Sequence, residues 1–145
     1  MENKTFIKNM LKDKSCTLDV RAVLFDGSLV NIEVQLDNKG NIGRRSLFYW
    51  GKLYTKALKK GQDYIKLPDV IAINILGFDF SPSGSVWTCF RLREDTDPTL
   101  VLTTALEIHS VNMVSVEKTG GEERCKALST TKGLSLNRGF SHIFP

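Results

Sequence analysis

The chain has 145 residues and a mass of 16.3 kDa, which suits one domain with a single core. It is 41% hydrophobic and 25% charged, which excludes collagen-like, low-complexity and disulfide-miniprotein classes. A net charge of +4 with a pI near 9.0 permits a polyanionic partner without requiring one.

The first residues, Met1 to Lys14, are charged and carry no apolar stretch of signal-peptide type. No apolar run reaches the ~20 residues of a membrane helix, so the expected location is cytoplasmic with no membrane partner. Residues 3–12 are expected to form a short helix with Phe6, Ile7, Met10 and Leu11 on its apolar face. Thr17 to Phe25 reads as a strand, Asp26-Gly27-Ser28 as a turn, and Leu29 to Leu36 as a second, cleanly alternating strand. Val30, Ile32, Val34 and Leu36 point one way, and Asn31, Glu33 and Gln35 the other.

Asn41 is placed to cap a helix from about Ile42 to Lys59, with Gly61 as its stop. No acid occurs between Asp37 and Asp63, while Lys39, Arg44, Arg45, Lys52, Lys56, Lys59 and Lys60 do. Arg45, Tyr49, Lys52, Lys56 and Lys59 recur at helical spacing on one side. Val70 to Leu76 is nearly all apolar, the pattern of a strand covered on both faces at the centre of a sheet. Val86 to Arg93 and Leu100 to Val111 read as a final hairpin across the polar turn Glu94 to Pro98. From about Thr119 no periodicity persists, so residues 119–145 are expected to be a poorly patterned tail. The three cysteines, Cys16, Cys89 and Cys125, have no CxxC spacing and read as reduced thiols. With only His109 and His142 available, a His/Cys zinc site is not expected.

The chemistry concentrates on the first hairpin. A three-residue loop Phe25-Asp26-Gly27, with Gly27 in the left-handed position, pairs Leu24 with Ser28 and hence Asp19 with Glu33. Two adjacent carboxylates repel each other unless a hard cation lies between them. Mg²⁺ favours such oxygen ligands together with waters and a substrate phosphate. The bland alternatives are that Glu33 and Gln35 are the solvent face of a half-buried strand, and that Arg21 forms a plain ion pair with Asp19 or Glu33.

The order Asp19…Glu33-Val34-Gln35 resembles the Asp…(Asp/Glu)-X-Lys pattern of PD-(D/E)XK nucleases, with Gln in place of Lys. The blocks "LDVRAVLFDGSLVNIEVQ", "RRSLFYWGKLYTKALKKGQDY", "VIAINIL" and "FRLRED…LTTALEIHSV" are similar to the Rpn recombination-promoting nucleases, also called PD-(D/E)XK transposase-like proteins. The similarity runs over roughly residues 12 to 113. It implies an α/β fold with a restriction-endonuclease-like core in residues 1–118: a mixed β-sheet flanked by helices, with an extra C-terminal β-hairpin. It further implies a DNA endonuclease associated with recombination or mobile elements and dependent on Mg²⁺ (or Mn²⁺/Ca²⁺). Asp19, Glu33 and Gln35 would be catalytic. Asp19, Glu33 and the Val34 carbonyl would ligate the metal, and Arg45, Tyr49, Lys52 and Lys56 would bind nucleic acid. A homodimer is compatible with this family. The N-terminal segment and the C-terminal wording depart from the family pattern, so the alternative expectation is a truncated, inactive copy that serves as a nucleic-acid-binding or interaction module.

Overall fold

A computed structural model describes residues 19–118. The helix expected at 3–12, the residues Cys16, Thr17, Leu18, Cys125 and His142, and the tail at 119–145 lie outside the described residues. Strands β1 (Asp19–Val23) and β2 (Leu29–Gln35) form the expected hairpin. Its loop is set by local chemistry. Gly27 has φ 85°, a conformation that costs a non-glycine residue a steric penalty. Its N–H donates to the Leu24 carbonyl at 3.0 Å, and the Leu24 N–H donates to the Ser28 carbonyl at 2.9 Å. The register therefore pairs Asp19 with Glu33 and Arg21 with Asn31.

Helix α1 (Ile42–Lys56) follows. Asn41 occupies the cap position, but its side chain makes no capping hydrogen bond. The turn before it is instead held by Asn38, whose Oδ1 accepts from the Gly40 N–H at 2.9 Å. The helix also stops short of the expected Lys59. The Ala57 N–H turns back to the Tyr54 carbonyl at 3.2 Å, and the Lys59 N–H goes to the Gln62 side chain at 2.9 Å. The backbone donors of the last turn thus find local partners, and propagation ends. A short 3₁₀ helix (Tyr64–Lys66) leads into β3 (Val70–Leu76), which has the bounds its apolar run predicts.

Strands β4 (Trp87–Arg91) and β5 (Leu106–Asn112) complete one five-stranded sheet of order β1-β2-β3-β5-β4. β3 runs parallel to both of its neighbours, β2 and β5, and the outer pairs are antiparallel. This is the mixed sheet expected. The last two strands pair antiparallel, but within the one sheet: β5 lies beside β3, and of the two β4 is at the edge. β5 also begins at Leu106 rather than Leu100; the preceding segment returns only the single bridge Arg93–Val101. A six-residue helix α2 (Met113–Lys118) ends the described chain, with Asn112 Oδ1 accepting from the Ser115 N–H at 3.1 Å.

One sheet face holds the apolar core, with Val30, Ile71 and Ile73 at 1% exposure packed by Leu24, Ile32 and Val111. The opposite face is polar, and the register aligns Asp19, Glu33, Asn74, Ser110 and Thr88 in one row across all five strands. α1 serves this polar face: the Trp50 indole N–H donates to the Val70 carbonyl at 3.0 Å, and Arg45 reaches Glu33.

Candidate active site on the polar sheet face

Asp19 and Glu33 face each other across the hairpin, yet their surroundings differ. Glu33 is only 4% exposed, so it is not on a solvent face. An alternating strand beneath a helix has the same pattern as one facing water, and α1 is that cover. The guanidinium of Arg45 donates from both Nε (3.1 Å) and Nη2 to the same oxygen, Glu33 Oε1. This charge-assisted contact raises the Arg45 pKa further, chiefly through the hydrogen bond to Glu33. Arg45 also lies 5.0 Å from the centre of the Tyr49 ring, a cation–π distance. Asp19 lies in the open and pairs with Arg21 at 3.1 Å, the ion pair weighed from sequence. Gln35 lies on the same face as Glu33, and its buried Nε2 has no hydrogen-bond partner among the described residues.

The donor set suits a hard divalent cation. It consists of carboxylate oxygens with no nitrogen or sulfur ligand beside them. Among the described residues, Asp19 Oδ1 and Glu33 Oε2 carry no hydrogen bond, since each arginine takes the other oxygen.

Further along α1, Tyr49, Lys52 and Lys56 line a shallow cleft against the hairpin together with Arg21, Asn31 and Leu53. The structure thus brings the three helix residues named from sequence into one cleft and sets Arg45 apart, against Glu33. Two features were missed. The Arg45–Glu33 bond depends on how the helix lies on the sheet, which spacing alone does not give. Asn74 does have a visible signal, as the single polar residue of "VIAINIL". It is 2% exposed and donates from Nδ2 to the His109 carbonyl at 3.1 Å.

A second cluster occupies the opposite face. Ligand atoms of Cys89, Glu107 and His109 lie within 4.8 Å of one another; with only two histidines in the chain no His/Cys site was expected, and the β4–β5 register is what brings these three together. Its hydrogen bonds describe a closed network. The Trp87 indole, a donor only, gives its N–H to His109 Nδ1 at 3.2 Å. The imidazole proton is therefore on Nε2, which donates to Glu107 Oε2 at 3.1 Å, and Arg91 holds Glu107 Oε1. A metal on Nε2 would require that proton to move to Nδ1, against the Trp87 N–H. The arrangement is no hydrolytic triad either, because Cys89 Sγ (3.9 Å) and Glu107 approach the same ring nitrogen. Burial pushes the Cys89 thiol up, away from the reactive thiolate.

Burial also pulls the Glu107 pKa upward, but the His109 hydrogen bond and the Arg91 charge outweigh it, leaving the carboxyl below its ordinary value of 4.5. A depressed carboxylate contributes stability above its unfolded pKa and loses it as pH falls through the folded one. The wild type is therefore expected to unfold at a higher temperature than Glu107→Gln at pH 7. That gap should shrink progressively below about pH 4.5. Paired thermal melts from pH 7 to pH 3 check this, and a gap that stays constant would contradict it. Two acids of the β4–β5 connection, Glu94 and Asp97, are occupied by turn chemistry. Glu94 Oε2 accepts from the Thr96 N–H at 2.8 Å, and Asp97 Oδ1 from the Thr99 N–H at 3.0 Å.

Glu33, buried and paired across strands with Asp19, is thus followed two residues later on the same face by Gln35. The family model described as PD-(D/E)XK nuclease family transposase matches residues 1–132. The chain belongs to this family. No curated protein and no solved structure matches it. For a PD-(D/E)XK family member the mixed sheet with flanking helices is the fitting core, and membership implies nuclease-type function with a nucleic-acid substrate. PD-(D/E)XK nucleases generally use divalent metals. Among the described residues, no helix is long and apolar enough to cross a membrane.

Proposed function

We propose that this PD-(D/E)XK chain is a Mg²⁺-dependent DNA endonuclease acting in recombination or mobile-element processing in the cytoplasm. The observation that carries this reading is the direct Asp19–Glu33 pairing, with Glu33 buried beneath α1. Asp19, Glu33 and the Val34 carbonyl would hold the cation. When bound, the cation supplies a water of lowered pKa and charge neutralisation at phosphorus. Gln35 would orient the attacking water, whose oxygen bonds to phosphorus as the bond to the sugar oxygen breaks, the water's proton ending on that departing oxygen. Lys52, Lys56 and Tyr49, joined by Arg21, hold the flanking backbone by charge and by hydrogen bonding.

A second reading, a nucleic-acid-binding module without catalysis, is favoured by the two internal ion pairs, since each carboxylate already has an arginine. Nicking of supercoiled plasmid separates the two. The nuclease reading expects nicking with Mg²⁺ or Mn²⁺, none with EDTA, and at least a ~10²-fold loss in Asp19→Ala with DNA binding kept. A folded wild type that binds DNA but leaves the plasmid intact with both metals favours the second reading.

A further inference from the structure

We propose that Arg45 has two working positions. In the resting chain it clamps Glu33 in place of the cation; once a divalent cation binds Glu33, Arg45 turns to the phosphate and supplies the positive charge that Gln35 cannot. The inference rests on the metal-dependent reading above and deepens it.

Four observations lead here. First, Arg45 Nε and Nη2 converge on one Glu33 oxygen, so the contact is a clamp rather than a loose surface pair. Second, Glu33 is 6% exposed at its side chain whereas Arg45 is 34% exposed, so the arginine has open space to turn into and the carboxylate does not. Third, a guanidinium keeps its charge at any accessible pH, so release from Glu33 takes a competitor, either a cation at the carboxylate or a phosphate at the guanidinium. Fourth, Asp19, Glu33, Arg21 and Arg45 form a set with no net charge. Adding a dication leaves that set strongly positive until a phosphodiester arrives. An arginine freed from Glu33 and already stacked near Tyr49, beside the Lys52–Lys56 cleft, lies on the side where the backbone would run. Gln35 fills the position of the superfamily lysine and is neutral, so the cation has to come from another element.

The test measures metal affinity without turnover. Ca²⁺ and Mn²⁺ binding is followed by calorimetry in the wild type, Arg45→Met, Arg45→Lys and Glu33→Gln, each confirmed folded by circular dichroism. The proposal expects Arg45→Met to bind metal on the order of 10-fold more tightly than wild type in the absence of DNA. Arg45→Lys, which keeps a charge but not the two-pronged contact, should fall between them. Adding a short DNA duplex with Ca²⁺ should tighten wild-type metal binding, because the phosphate draws Arg45 off Glu33, and this coupling should be markedly smaller in Arg45→Met. Arg45→Met should also cleave more slowly with Mg²⁺ despite its tighter metal. If Arg45→Met binds metal no better than wild type while Glu33→Gln abolishes binding, the exchange is wrong and the metal site stands. If neither wild type nor Arg45→Met binds metal, both the exchange and the metal-dependent reading are wrong.

Discussion

Replacing Glu33 by Gln is expected to lower metal-dependent cleavage by at least ~10²-fold while leaving the fold nearly as stable. The two halves of this expectation have separate causes. The amide keeps an oxygen at the position of Oε1, so both Arg45 donors retain an acceptor. What disappears is the negative charge, which a hard cation requires and an amide does not supply. Because Arg45 is one-third exposed, its loss of a charged partner is screened by water, and the stability cost should be about 1 kcal/mol. Cleavage rates and thermal melts of the same preparation check both halves. A variant that still cuts at the wild-type rate would remove Glu33 from the site. A variant that unfolds would make its role structural.

The largest stability effect is expected at Ile73. It is 1% exposed in the middle of the central strand, in register with Ile32 on one side and His109 on the other. Truncation to Ala removes three carbons from a site walled by sheet neighbours that cannot close the gap. The cost should be about 3 kcal/mol, a drop of about 10 °C in Tm. Denaturant and thermal unfolding measure it. A loss under about 1 kcal/mol would mean that this face is looser than its burial indicates.

What could be read in advance follows the range of the interactions. The Asp19–Glu33 pairing was legible because it depends on three loop residues and one glycine, all local chemistry. The bounds of β3 were legible because a strand covered on both faces is nearly all apolar, Asn74 being its one polar residue. Alternation in β2 was legible, but not what covers its polar face, so a solvent face and a site beneath α1 looked alike. The clamp between Arg45 and Glu33 joins residues twelve positions apart through the docking of a helix. The Cys89–Glu107–His109 network exists only once β4 is laid beside β5 in a particular register. The early end of α1 turned on the Gln62 side chain taking the Lys59 N–H, a competitor that helical periodicity does not weigh.

The central claim is that Asp19 and Glu33 share one divalent cation. The most direct measurement is an anomalous difference map from crystals grown with Mn²⁺. The account predicts a peak about 2.1 Å from carboxylate oxygens of both Asp19 and Glu33, with the Arg45 guanidinium withdrawn from Glu33. A peak confined to the Cys89–Glu107–His109 cluster would contradict it. So would no peak at a Mn²⁺ concentration that supports cleavage.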